Sequence, residues 1–194
     1  NFPVMAHATN PEAVKMAIKL GAHSVEHAYI TDEDCITDFV SRGTWYVPTL
    51  SISQLSPNLA TTEHERAWAA QKQLAADLVV RADEAAEEHR NSFQKALSAG
   101  VKMALGSDIS PMRDSALLEL GLWVKCGATP WQALTAATKN AAEMCGVGPE
   151  LGTVEAGKLA DLIVVGGNPL ADIENVRKLE MVLKEGRVVA DHRG

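Results

Sequence analysis

VMAHATNPEAVKMAIKLGAHSVEH, residues 4–27, carries one unit and the start of its repetition: a short apolar run, a histidine at its end, then a loop that opens a helix. In the first copy Val4–His7 is the apolar run. Asn10 is a good N-cap, Pro11 suits the first helical position, and Gly21 fits the left-handed residue past the helix end. In the second copy Ala22–His27 is the apolar run, and Thr31-Asp32-Glu33-Asp34 offers a variant capping box for a helix that Gly43 closes. Two imidazoles delivered by successive strand-to-helix junctions can converge on one metal ion.

Working outward, Thr44–Val47 predicts a third strand, which Pro48 stops because proline cannot donate to a ladder. A long alanine-rich and charged stretch from Thr62, with Glu65 three residues on, to Gly100 predicts helix with at least one break. Val101–Leu105 predicts a fourth strand, and Gly106-Ser107-Asp108 places a carboxylate at its end. Strands alternating with helices indicate an α/β fold with a parallel sheet, whose chemistry gathers outside the carboxyl ends of the strands. His7, His27 and Asp108 all fall there.

After Asp108 the rhythm changes. Asp114–Lys125 reads as a helix ending near Gly127, and Thr129-Pro130 opens another that runs toward Met144 and closes at Gly146 and Gly148. From Gly152 short strands take over: Asp161–Val165, Met181–Lys184 and Arg187–Ala190, with Glu185-Gly186 as a tight hairpin turn. This tail, residues 151–194, is expected to be a small antiparallel unit distinct from residues 1–150.

Composition narrows the function classes. The 194 residues suffice for one ordinary core with a small appendage. A net charge of -7 without a Lys/Arg cluster argues against a nucleic-acid partner. No apolar run reaches the roughly 20 residues that span a bilayer. The opening Asn1-Phe2-Pro3 shows no signal peptide, and Cys35, Cys126 and Cys145 are too few and too scattered for a disulfide framework. A reducing, cytoplasmic location is the expectation.

Met5–Ala8, Gly21–Ala28, Val47–Leu50, Ala99–Asp108, Leu134–Ala142 and Leu151–Leu162, in this order, resemble the metal-dependent amidohydrolase superfamily, in its imidazolonepropionase-like and Xaa-Pro dipeptidase (prolidase) branch. The resemblance implies the carboxyl-terminal half of a (β/α)8 TIM-type barrel, strands five to eight, followed by the later strands of a small β-sandwich. It implies His7 and His27 as metal ligands after strands five and six. Asp108, after strand eight, would both touch the metal and take the proton of the attacking water. The ion implied is a divalent metal, zinc first, bound once or twice in an intact enzyme. The reaction implied is hydrolysis of a C–N bond in a small amide, cyclic amide or dipeptide such as Xaa-Pro. A deaminase of the same superfamily and a noncatalytic assembly protein are the rival classes.

The family's His-x-His pair and bridging lysine have no counterpart here, so the chain is expected to form homo-oligomers or to be completed by a missing amino-terminal half, and to be inactive alone. Other residues carry weaker expectations. His23 reads as structural, His89 as structural or facing the site, and His64 and His192 as surface positions. Trp45 and Tyr46 read as packing, Thr49 and Ser51 as pocket lining, and Arg113 as a surface charge or a contact for a substrate carboxylate.

Overall fold

Asn10 begins the first helix as its chemistry requires: the side-chain oxygen accepts the Ala13 amide at 3.0 Å, and Pro11 occupies the first turn. This computed structural model describes residues 2–110 and 114–194. The opening elements are strand β1 (Met5–Ala8), helix α1 (Pro11–Lys19), strand β2 (Ser24–His27), helix α2 (Glu33–Arg42) and strand β3 (Trp45–Val47). Gly21 and Gly43 sit past the ends of α1 and α2 with φ of 87° and 66°, a region where a side chain is strained. The cap of α2 differs from the expectation. Asp32, rather than Thr31, accepts the Cys35 amide at 2.8 Å, and Lys15 of α1 donates to the same carboxylate at 2.6 Å. A carboxylate at a helix start meets both the free amides and the positive end of the helix dipole.

The long helical stretch breaks as expected. Helix α3 (Ser51–Gln54) is followed by α4 (Glu63–Lys72), which Thr62 and Glu65 start with a full capping box. Gln73 then turns left-handed with φ 48°, and α5 (Ala76–Ser98) follows. Residues 101–105 form less strand than expected. They meet β3 in one parallel bridge, Tyr46 to Met103, where the Tyr46 amide donates to Lys102 at 2.9 Å and the Ala104 amide to Tyr46 at 3.2 Å. The far edge of this segment is diverted to a helix. Asn140 donates to the Met103 carbonyl at 2.8 Å, and the Leu105 amide donates to Ala136 at 3.1 Å.

Beyond it lie α6 (Ser115–Lys125), α7 (Pro130–Thr135) and α8 (Ala141–Met144), the last two joined by a π-helical turn over Ala136–Asn140. That wider turn carries both groups that close the strand edge. The tail folds into strands β4 (Leu162–Val165), β5 (Leu179–Lys184) and β6 (Arg187–Asp191), paired antiparallel in that order. Glu185 and Gly186, with φ of 51° and 77°, make the tight turn. A 3-10 turn over Ile173–Arg177, absent from the sequence reading, buries Ile173 and Val176 in the main core and so ties the tail to the rest.

β2 lies between β1 and β3, all parallel, with His7 opposite Glu26 and Glu26 opposite Val47. Side chains alternate across this sheet. Val25, Tyr46 and Met103 face the helices and join Val14, Ile18, Phe39, Phe93 and Trp123 in the main core. Trp45, Val47 and Ala104 face the other way, covered by Ala141 and Met144. No helix among the described residues is long and apolar enough to cross a membrane. Cys35, Cys126 and Cys145 are free thiols.

Gly106 marks how closely the last strand segment lies on β3: a Cβ there would stand 2.6 Å from Val47 Cγ1. Gly106→Ala is expected to destabilise the fold by about 1–3 kcal/mol in urea unfolding. Adding Val47→Ala should return part of that loss, and a Gly106→Ala chain as stable as the parent would show that the contact is absent in solution.

Candidate active site

The parallel register brings the carboxyl ends of the strands to one level, and the backbone there is unusual. Among the described residues only six non-glycine positions have positive φ, and His27 (75°), Ala28 (41°), Thr49 (52°) and Asp108 (49°) all lie just at or past strand ends. Such conformations cost on the order of 1–3 kcal/mol each and persist where surrounding contacts hold them. His7 is exposed at the end of edge strand β1, while His27 is buried at the end of central strand β2. Their rings meet edge to face with centroids 4.4 Å apart. Asp108 is exposed at the same level, and its charge acts on His27, Glu26 and Tyr29. Among the described residues no three His, Cys, Asp or Glu side chains stand close enough to hold a metal. The structure therefore brings His7 and His27 into contact and sets Asp108 beside them without closing a ligand set.

The hydrogen bonds decide the state of His27. Thr49 has one hydroxyl proton, which it donates to the Pro48 carbonyl at 2.6 Å. Its oxygen is then left to accept from His27 Nδ1 at 2.8 Å. His27 thus carries its proton on Nδ1 and keeps a lone pair on Nε2. Burial, with His7 adding to it, lowers the pKa of this ring, which favours the neutral form that a metal needs. The Tyr46 hydroxyl donates to the His27 carbonyl at 3.1 Å and pins the backbone.

Two further buried groups stand behind this layer. His89 of α5 is completely buried, and its Nδ1 pairs with Ser53 Oγ at 2.8 Å. Its ring lies 4.7 Å from that of Tyr29, which lies 5.5 Å from that of His27. His89 Nε2 makes no aligned hydrogen bond among the described residues. Burial pushes the His89 pKa down to about 4, with the carbonyls of Pro48 and His27 acting in the opposite sense. Glu119 of α6 is also completely buried. Its two oxygens accept from the Leu50 amide at 2.8 Å, the Ser51 amide at 2.9 Å, the Ser51 hydroxyl and Trp123 Nε1 at 3.2 Å. Burial raises its pKa to about 7 against these bonds.

Beside the strand ends opens a cavity of about 340 Å³ walled by Leu55, Trp68, Leu74 and Ile109, with Tyr29, Ser51 and Asp108 as polar lining. Lys72 and Arg81 are its cations, Lys72 donating to Ser110 at 3.2 Å. Burial, with the Asp108 charge adding to it, pushes the Tyr29 phenol up to about 12, so it remains a donor at neutral pH.

A sequence model described as the amidohydrolase family matches residues 1–189. The chain belongs to the amidohydrolase family. Ochratoxinase of Aspergillus niger is 34% identical over 181 residues, 90% of this chain and 34% of that protein. Imidazolonepropionase of Thermoplasma volcanium is 35% identical over 101 residues, 49% of this chain and 25% of that protein. A crystal structure of a Xaa-Pro dipeptidase with bound methionine in the active site superposes with a TM-score of 0.81 at 30% identity, covering 96% of this chain and 44% of that one. The chain spans less than half the length of these relatives.

Several other side chains lie where their sequence context predicts. His23 is structural, its Nε2 bonded to the Met144 carbonyl at 2.8 Å. His64 and His192 are exposed, Trp45 and Tyr46 are packed, and Ser51 lines the cavity. Thr49 belongs to His27 rather than to the cavity wall. Arg113 lies outside the described residues. Tyr29 and Glu119 were missed. A lone carboxylate in the apolar run Ala116-Leu117-Leu118-Glu119-Leu120 was the visible signal for the second.

A divalent ion fits the pair His7 and His27, since one imidazole is held neutral with Nε2 open and the other lies in ring contact with it. The described residues complete that set no further.

His89 generates a pH dependence of stability. The folded ring takes a proton less readily than the unfolded chain does, so its contribution is present above about pH 6.5 and is lost as pH falls through about 4. Denaturant midpoints should fall by a few kcal/mol equivalent over that window and less so in His89→Gln, whereas parallel pH profiles for the two proteins would place the acid sensitivity elsewhere.

Proposed function

We propose that the chain provides strands five to eight of a (β/α)8 barrel and part of a small β-domain, in a divalent-metal-dependent hydrolase of C–N bonds in small amides or dipeptides. The observation that carries this reading is the contact of the His7 and His27 rings at adjacent strand ends, with His27 Nε2 left free. Imidazole and carboxylate suit zinc. The relatives support the substrate class: one is a dipeptidase with methionine in its active site, another an imidazolonepropionase.

His7 and His27 would hold the ion, with Asp108 beside them. Bound there, a divalent ion supplies Lewis-acid polarisation of a carbonyl and lowers the pKa of water toward about 7. The remaining steps belong to this chain. Asp108 accepts a proton from the attacking water, whose oxygen forms the new bond to carbon. The C–N bond then breaks, and the same proton passes to the leaving nitrogen. Tyr29, still protonated, lines the cavity beside Asp108 as a donor for the charge that develops on the carbonyl oxygen. Leu55, Trp68 and Leu74 exclude water and receive an apolar group of the substrate.

The unpaired edge of β1, with Val4 58% and Met5 69% exposed, supports a partner strand in the assembled protein, from a second copy or from further chain, and negligible turnover without it.

Zinc titration of the chain by calorimetry tests the reading. His7→Ala and His27→Ala should each weaken binding by about tenfold or more. In the assembled enzyme Asp108→Asn should lower turnover by about 10²–10⁴-fold. Unchanged zinc affinity in both histidine variants would sink the proposal.

A further inference from the structure

A carboxylate with no access to water needs a reason, and Glu119 has one in the turn that follows β3. Leu50 and Ser51 open α3, a helix whose N-cap residue, Leu50, supplies no side-chain acceptor. Their amides would be buried donors without partners. Glu119 reaches across from α6 and serves as the missing cap. Its Oε1 takes the Leu50 amide and the Trp123 indole, and its Oε2 takes the Ser51 amide and hydroxyl. Three of these four bonds fix Leu50 and Ser51, which follow Thr49, a β-branched residue held at φ 52°. A turn free to relax would leave that strained conformation and swing the Thr49 hydroxyl away from the imidazole.

We propose that Glu119 is a positioning residue for His27, acting through the Leu50–Ser51 amides to hold Thr49 where its oxygen accepts from His27 Nδ1 and so keeps Nε2 free. The backbone of His27 is pinned separately by Tyr46, so the ring state depends on Thr49. The geometry assigns a three-layer order: carboxylate to turn amides, turn to hydroxyl, hydroxyl to imidazole. Its catalytic meaning rests on His27 being a metal ligand, but the tautomer itself does not require a metal.

The experiment is ¹⁵N NMR of the metal-free chain labelled at histidine, at pH 8, with His27 assigned by its loss in His27→Gln. The parent and Thr49→Ser should show His27 protonated on Nδ1. Thr49→Val should shift the tautomer ratio toward Nε2–H by about tenfold, and Glu119→Gln should shift it the same way with Thr49 intact. The His23 and His89 signals should keep their parent pattern in Glu119→Gln, whereas general loosening of the fold would move them too. A folded Glu119→Gln or a Thr49→Val with the parent ratio overturns the proposal. If Glu119→Gln does not fold, Ser51→Ala, which removes one donor and leaves both amides, decides: a smaller shift in the same direction supports the coupling, and an unchanged ratio overturns it. Failure of zinc binding with these shifts intact would remove the hydrolase reading alone.

Discussion

Parallel pairing of β2 with both neighbours is the constraint on which the site depends. In a parallel sheet every strand ends on the same side, so residues far apart in sequence arrive at one level without any contact between their own segments. His7 lies opposite Glu26 and Ala8 opposite His27, so the two imidazoles end one step apart on adjacent strands. A slip of one residue in that register would turn His7 to the other face of the sheet. The register is held from the helix side by Val25 and Tyr46, both completely buried, and α1 and α2 are tied together by Lys15 and Asp32.

The strand ends also carry backbone strain, and the polar groups around them are arranged to sustain it. Tyr46 satisfies the His27 carbonyl, Thr49 satisfies Pro48, and Glu119 satisfies the amides beyond. In a low-dielectric interior each unmade bond would cost more than each made bond contributes. On the hydrolase reading, a histidine held in one tautomer by such a network would need little rearrangement to receive an ion.

Local chemistry was legible in the sequence wherever it acts over a few residues. Asn10 with Pro11, Thr62 with Glu65 and Thr129 with Pro130 each start a helix as their side chains dictate. The strand-end positions of His7, His27 and Asp108 follow from the alternation of strands and helices. What was not legible depends on partners distant in sequence. Thr31 and Asp32 are both competent caps, and Asp32 wins because Lys15 stands opposite it. Residues 101–105 have strand composition, but Asn140 and Ala136 occupy the edge where further pairing would form. Ile173 and Val176 pack into a core whose other buried members end, in sequence, at Ala136, and no short-range pattern announces this.

On the hydrolase reading, the two histidines differ in what each leaves open to a partner. His27 is enclosed, with Nδ1 committed to Thr49 and its ring flanked by His7 and Tyr29. His7 is open to solvent on the edge strand, where Val4 and Met5 are exposed as well. On that reading the cavity lined by Asp108 and Tyr29 receives the substrate, and α4 and α5 wall it through Trp68 and Leu78. A strand paired with the open edge of β1 would, on the same reading, stand beside His7, the more exposed of the two imidazoles. Pairing at that edge would cover Val4 and Met5 and enclose His7 together, because all three lie on or beside the same strand.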